Sequence, residues 1–143
     1  MEKIKHFKLE EFLDSSIARQ KSISNSPSWE DIEHLNELAV FLDALRKDWR
    51  HPISVNSGFR NEKLNAAVGG VSASAHTIGY AADIVPEKGK MEEFKKFVVE
   101  WMKDKNFDQC IIEKKKNSNV EWIHIGLYSK TGLQRRMIFS LDA

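Results

Sequence analysis

A stripe of apolar residues at helical spacing between Trp29 and Trp49 constrains the fold more than any other feature of the sequence. Spacings of three and four residues put such side chains on one face of a helix. The stripe consists of Ile32, Leu35, Leu38, Ala39, Leu42 and Leu45. Ser28, with Asp31 three residues later, resembles a capping start, and Pro52 lies just past the end. The sequence therefore predicts one long amphipathic helix.

The remaining segments predict a sheet whose strands mostly follow the helices along the chain. We expect further helices over residues 8–20, 61–68 and 90–104, and strands over 53–57 and 81–85 and near 108–113, 120–127 and 136–141. Helices first and adjacent strands afterwards favour the α+β class, with a mostly antiparallel sheet flanked by helices. The chain has 143 residues, so residues 1–143 fit a single domain.

Composition and charge argue against several classes of protein. With 41% hydrophobic and 30% charged residues the chain is typical of a globular protein, and a net charge of +1 argues against a nucleic-acid binder. No stretch approaches the roughly 18 consecutive apolar residues of a membrane helix. Charges interrupt the N-terminal segment, which predicts cytoplasmic synthesis without a signal peptide. The single cysteine, Cys110, lies in an apolar run, which predicts a buried thiol.

A histidine and an aspartate form the first part of a candidate metal site. His76 follows a run of small residues and precedes Gly79, which permits a tight backbone path. Asp83 lies in an apolar run that is typical of a buried strand. A carboxylate there is costly unless it is paired or binds a metal. An ion pair between Asp83 and Arg60 is the alternative, and the two possibilities are about equal on these residues.

The strand over residues 120–127 supplies the second part of the site. Its side chains alternate between two faces, with Ile123, Ile125 and Leu127 on one face and Trp122, His124 and Gly126 on the other. One face therefore packs into the core and His124 points to the other; a solvent-facing histidine is the alternative. Strict alternation puts Glu121 on the face opposite His124. Glu121 therefore needs a frayed strand start or a bulge to reach a metal bound there.

Four segments resemble signatures of a known family. Residues 74–83 match every fixed position of the Ser-x-His-x-x-Gly-x-Ala-x-Asp signature of the zinc D-alanyl-D-alanine carboxypeptidase family, which includes L-alanyl-D-glutamate endopeptidases used as phage endolysins. Residues 121–124, Glu-Trp-Ile-His, look like its Glu-x-x-His signature, and residues 57–60 look like its Ser-Gly-Tyr/Phe-Arg segment. Residues 108–113 resemble the Asp-Gln-x-Ile-x-Glu strand of its phage-type members. The likeness runs from about residue 53 to 128.

The resemblance implies a hedgehog/DD-peptidase-like fold that holds one zinc ion per chain. By position, the zinc ligands fall on His76, Asp83 and His124, and the general base falls on Glu121. A catalytic zinc ion takes three protein ligands and leaves one position open, which agrees with this set. Residues 1–50 carry none of the signatures.

The resemblance also implies residues that contact the substrate. Arg60 takes the position of the family's substrate-binding arginine, which makes it both a binding and a catalytic candidate; a structural partner of an acidic side chain is its alternative role. Ser74 is the motif serine and is predicted either to bind substrate or to shape the loop. Gln109 and Glu113 are predicted to support the ligands or the fold.

The function implied by the resemblance is a zinc metallopeptidase that hydrolyses an amide bond in peptidoglycan stem peptides. The scissile bond is either D-Ala-D-Ala, as in a carboxypeptidase, or L-Ala-D-Glu, as in an endolysin-type endopeptidase. The missing signal peptide favours a phage or prophage enzyme of cell wall degradation, which leaves the cytoplasm by another route. The alternative is a catalytically silent zinc-containing binding or virion structural domain of the same fold, since fold alone does not settle activity. The presence of Glu121 argues against that alternative.

Overall fold

A five-stranded sheet organises residues 4–142, the part of the chain that the computed structural model describes. In chain order the elements are α1 (Leu9–Leu13), α2 (Ser16–Gln20), α3 (Trp29–Trp49), β1 (Ile53–Ser57), α4 (Glu62–Ala67), a 3₁₀ turn (Ala75–Ile78), β2 (Ala81–Pro86), α5 (Met91–Met102), β3 (Gln109–Lys114), β4 (Glu121–Gly126) and β5 (Met137–Asp142). None of the helices within residues 4–142 has both the length and the apolar character of a membrane span.

The strands are arranged in the order β1-β2-β4-β3-β5. The pairs β1–β2, β2–β4 and β3–β4 are antiparallel, and β5 runs parallel to β3 at one edge. The predicted α+β class with a mostly antiparallel sheet is therefore confirmed. Strands β3 and β4 form a hairpin, and β4 also pairs with β2. The two strands that carry the metal-site signatures, β2 and β4, are therefore direct neighbours.

Local interactions explain where α3 begins and ends. Ser28 Oγ accepts a hydrogen bond from the Asp31 N–H at 3.1 Å, and Asp31 Oδ2 accepts one from the Ser28 N–H at 2.9 Å. This capping box satisfies N–H groups that a helix start leaves free. After Trp49 the backbone leaves the helix through Arg50, whose φ of 68° is left-handed. The predicted helix from Trp29 to Trp49 is confirmed.

The main core lies between α3, α5 and one face of the sheet. The α3 stripe is buried from Leu35 to Leu45, and the sheet contributes Ile84, Ile123 and Ile125, all fully buried. Full burial of such a side chain stabilises a fold by about 1.5–3 kcal/mol. Cys110 is buried beside them as predicted, and burial raises the pKa of its thiol to about 12. The opposite face of the sheet is therefore the one left for a site.

The helix predicted over residues 8–20 is divided into two five-residue helices. The chain turns at Asp14, and Ser15 Oγ then accepts a hydrogen bond from the Ala18 N–H at 3.1 Å, which starts α2. Serine at that position competes for the backbone N–H groups and so favours a new helix start over a continuous helix. The prediction of helical structure was confirmed here, but the prediction of one continuous segment was wrong.

Candidate metal centre and active site

The three side chains predicted as metal ligands come together on the face of the sheet opposite the core. One ligand atom from each of His76, Asp83 and His124 lies within 4.8 Å of the other two. Asp83 Oδ1 is 3.3 Å from His76 Nε2 and 3.1 Å from His124 Nδ1. In a tetrahedral zinc site with bonds of about 2.0–2.1 Å, ligand atoms lie about 3.3 Å apart. The spacing therefore fits one zinc ion.

Backbone contacts orient His76 towards this point. Its Nδ1–H donates to the Gly58 carbonyl oxygen at 2.7 Å, which leaves Nε2 with a lone pair for a metal, since a carbonyl can only accept. The backbone N–H of His76 donates to Ser74 Oγ at 3.2 Å. Gly79 ends the 3₁₀ turn with a φ of 84°, and a Cβ there would lie 2.6 Å from the Asp31 carbonyl oxygen. The motif glycine is thus required both for its conformation and for its close approach to α3.

Strand pairing brings the other two ligands together. Asp83 and His124 lie directly opposite each other in the β2–β4 pair, so their side chains share a face. His124 points away from the buried Ile123 and Ile125, as predicted. Its exposed fraction is only 8%, so it is not the solvent-facing histidine of the alternative interpretation.

The pKa shifts of Asp83 and His76 suit a cation. Burial opposes the charged form of Asp83, but the charges and hydrogen bonds of His76 and His124 outweigh this effect and hold the pKa of Asp83 below its ordinary value. Burial lowers the pKa of His76 by more than the neighbouring Asp83 raises it. An ionised carboxylate beside a neutral imidazole, here Asp83 beside His76, is the state that metal binding requires.

Arg60 lies in the same cleft but forms no ion pair with Asp83 or with any other acidic side chain among residues 4–142. Its Nε is buried and has no hydrogen-bond partner in the described chain. Burial lowers the pKa of Arg60, whereas the charges of Asp83 and Glu113 raise it. A buried donor without a partner is costly, by about 1–3 kcal/mol, and fits a site that a substrate oxygen completes.

Glu121 does not lie with the metal group. It is paired with Lys114 in the regular β3–β4 register, so the bulge or frayed start that would turn it towards His124 is not formed. Its carboxylate accepts hydrogen bonds from Lys95 Nζ of α5, at 2.9 Å and 3.2 Å. It lines a separate hollow of about 580 Å³ on the α5 side of the sheet. Strict alternation along β4 is the physical reason, because it sends Glu121 to the face opposite His124.

Glu113 lies on the metal side of the sheet instead. It is directly opposite Trp122 in the β3–β4 pair, and its Oε2 accepts a hydrogen bond from Trp122 Nε1–H. Burial and the charge of Asp83 raise the pKa of Glu113, although His124, the Trp122 hydrogen bond and Arg60 act in the opposite direction.

These side chains line one cleft of about 740 Å³. Its walls include all of the predicted site residues except Glu121, namely Arg60, Ser74, His76, Asp83, Gln109, Glu113 and His124. The walls of the cleft also include the apolar side chains of Val68, Val71, Ile111, Trp122, Phe139 and Leu141.

The sequence model of the Peptidase M15 family matches residues 5–126, more than four-fifths of the chain. The chain belongs to the peptidase M15 family. A comparison with curated proteins gives no match. The match to the M15 family includes α1, α2 and α3, where the sequence shows no recognisable signature. Membership supports a metallopeptidase acting on peptidoglycan, and the group of His76, Asp83 and His124 can hold its metal ion.

Two residues that the sequence does not point to are a wall residue of this M15 peptidase cleft, Arg135, and the partner of Glu121 outside the cleft, Lys95. Arg135 lines the cleft and donates from Nε and a terminal nitrogen to the buried Asp108, at 2.8 Å and 2.9 Å. Lys95 holds Glu121 from α5. Arg135 follows a polar turn and Lys95 lies on a charged helix face, so neither position carries a local signal. Only the packing of distant segments makes these contacts.

Proposed function

We propose that this M15 peptidase hydrolyses an amide bond in peptidoglycan stem peptides at a zinc ion held by His76, Asp83 and His124. The observation that carries the proposal is the convergence of one carboxylate oxygen and two imidazole nitrogens, spaced for one ion, within a cleft large enough for a short peptide. A nitrogen and oxygen donor set of this kind suits zinc. When bound, the ion supplies a Lewis acid that polarises the carbonyl to be cleaved.

Arg60 binds an anionic or carbonyl oxygen of the stem peptide in this proposal. Its buried Nε has no hydrogen-bond partner in the described part of the chain, and its guanidinium is a rigid fork that matches a carboxylate. A carboxylate that pairs with Arg60 would fix the peptide in the cleft with its amide bond next to the metal ligands. Ser74 supports the His76 loop and offers its hydroxyl proton to the same cleft. Gln109, also in the cleft wall, is a further proposed support for the bound peptide.

We propose that the cleaved bond is either D-Ala-D-Ala or L-Ala-D-Glu. The Asp-Gln-x-Ile-x-Glu strand at residues 108–113 favours the phage-type endolysin, whose site of action is the bacterial cell wall. Two carboxylates compete for the proton-transfer role: Glu121, which the resemblance predicts, and Glu113, which lines the cleft.

Digestion of purified peptidoglycan by the zinc-loaded protein tests the proposal. Mass spectrometry of the products distinguishes the two bonds, because carboxypeptidase action releases free D-alanine and endopeptidase action leaves a new N-terminal D-glutamate. A chelator and the Asp83→Ala variant should each abolish the new termini. Intact peptidoglycan after incubation with folded, zinc-loaded protein would refute the proposal.

Intact peptidoglycan after such an incubation would instead support the alternative function, a catalytically silent zinc-containing binding or structural domain. One observation favours this second candidate, namely that Glu121 is held by Lys95 on the far side of the sheet. Retention of the protein on peptidoglycan without new termini would identify a binding domain.

A further inference from the structure

We propose that Glu113, and not Glu121, is the carboxylate that moves the proton during amide hydrolysis in this cleft. The inference rests on the proposed function for the reaction itself. It is carried by the placement of the two glutamates on opposite faces of the same β3–β4 hairpin.

Strand register determines which glutamate faces the metal ligands. Residues directly opposite each other in an antiparallel pair have side chains on one face. Ile111 is opposite His124, and Glu113 is opposite Trp122, two residues further along β3. Glu113 and His124 are therefore diagonal neighbours on one face, about 7–8 Å apart at Cα and within reach of long side chains. Glu121 is opposite Lys114, so its side chain lies on the other face of the sheet.

The contacts of Glu113 leave one oxygen free for a proton. Oε2 is held by the Trp122 indole N–H, which fixes the direction of the carboxylate. Oε1 has no hydrogen bond to any other side chain in the described residues. The half-buried position of Glu113 and the nearby charge of Asp83 raise the pKa of its carboxyl group. A raised pKa is the direction that a general base needs in order to act near neutral pH.

The contacts of Glu121 are those of a structural residue. Lys95 bonds both of its oxygens, and the exposed fractions of the Lys95 and Glu121 side chains are 19% and 22%. Lys95 also pairs with Glu92 at 2.6 Å. The Glu121 carboxylate thus joins β4 to α5, and the sheet separates it from the cleft.

The proton step balances as an ordinary hydrolysis. The water oxygen forms a bond to the carbonyl carbon, while one water proton passes to Glu113 Oε1. The carbon–nitrogen bond then breaks, and Glu113 delivers that proton to the departing amine nitrogen. One peptide and one water give a new carboxyl group and a new amine, and Glu113 returns to its starting state.

The matched variants Glu113→Gln and Glu121→Gln test the assignment, since each replaces one carboxylate by an amide of nearly the same shape. Zinc content by atomic spectrometry and Tm by calorimetry are measured for both, together with kcat and KM for a soluble stem peptide. We expect Glu113→Gln to keep one zinc and a wild-type Tm, while kcat falls about 10²–10⁴-fold and KM changes less than about threefold. Glu121→Gln should keep its zinc and kcat within about threefold but have a lower Tm.

Two results would overturn the assignment: a large loss of kcat confined to Glu121→Gln, or loss of zinc from Glu113→Gln. Hydrolysis of 4-nitrophenyl acetate, which needs no peptidoglycan recognition, separates this inference from the proposed function. If the wild-type protein leaves peptidoglycan intact but hydrolyses the ester in a zinc- and Glu113-dependent way, the peptidoglycan proposal fails and the Glu113 assignment stands. Absence of any zinc-dependent hydrolysis by the wild-type protein would overturn both.

Discussion

The substitution Gly58→Ala tests how tightly the fold holds the metal site. Gly58 lies in the Ser-Gly-Phe-Arg segment, between β1 and the substrate-binding candidate Arg60. A Cβ on Gly58 would lie 2.7 Å from Phe12 Cα and 2.9 Å from the Phe12 carbonyl carbon, and closer still to the carbonyl oxygen. These atoms are backbone, so they cannot move aside by a rotamer change. Either α1 or the Gly58 carbonyl must shift.

The magnitude follows from the contacts that such a shift disturbs. Overpacking by one methyl group costs about 1–3 kcal/mol. The Phe59 N–H donates to the Phe12 carbonyl oxygen at 2.7 Å, and loss of this bond adds about 1 kcal/mol. A domain of this size loses about 3–4 °C of Tm per kcal/mol, so we expect Tm to fall by about 10 °C. Because the Gly58 carbonyl also accepts from His76, zinc affinity should fall about 10–100-fold.

Calorimetry of the metal-free protein and zinc titration against a competing chelator measure the two effects. Gly89→Ala is the matched control, because Gly89 has a left-handed φ of 88° but no atom within 4 Å of its would-be Cβ. It should cost only about 1 kcal/mol and leave zinc affinity unchanged. The reasoning is refuted if Gly58→Ala destabilises the protein no more than Gly89→Ala, or if its zinc affinity equals that of the wild type.

Three further predictions concern the metal site, a helix start and a buried carboxylate. Zinc at 100 times its Kd should raise the free energy of unfolding by about 2.7 kcal/mol, and the Asp83→Ala variant should lack this increase in calorimetry. Ser28→Ala, which removes the α3 capping box, should lower the free energy of unfolding in urea by about 1 kcal/mol at unchanged zinc affinity. Burial raises the pKa of Asp108, but Arg135 outweighs this effect and holds the pKa below its ordinary value. Ionised Asp108 therefore stabilises the fold above about pH 4, and this contribution is lost as the pH falls through the folded-state pKa. Asp108→Asn should accordingly show a flatter decline of stability below about pH 4, measured by urea unfolding.

Each of these has an outcome that contradicts it. An equal zinc response in Asp83→Ala would remove Asp83 from the ligand set; Asp104→Ala, at an exposed position, is the control that should respond like the wild type. An unchanged urea midpoint for Ser28→Ala would show that tertiary packing alone determines the start of α3. An acid decline in Asp108→Asn as steep as in the wild type would assign that decline to other carboxylates.

The sequence was sufficient for features that depend on neighbouring residues. The helix from Trp29 to Trp49 could be predicted to the residue, because both its apolar spacing and its Ser28 cap act within a few positions. The strands near Asp83 and His124 could be predicted because alternation is equally local. The division of residues 8–20 into two helices could not, since the choice between continuing and restarting a helix at Ser15 depends on a small difference in free energy.

The candidate site also combines features that could be predicted from the sequence with features that could not. Family signatures identified His76, Asp83 and His124 as one group, and alternation already warned that Glu121 faces away from His124. The signature over residues 108–113 identified Glu113 only as a support for the ligands or the fold, because the face on which it lies depends on the register of β3 against β4.

The amino-acid sequence by itself determined the positions of most helices and strands, the family and the identity of three candidate ligands, because propensity, periodicity and motif spacing act over short stretches of chain. Tertiary structure alone decided that the buried Arg60 Nε has no partner within residues 4–142, that Lys95 holds Glu121 on the far side of the sheet and that Glu113 lines the cleft. The physical reason is that a strand offers two equivalent faces. Which face meets the core is determined only when α3 and α5 cover one of them and strand register fixes the rest.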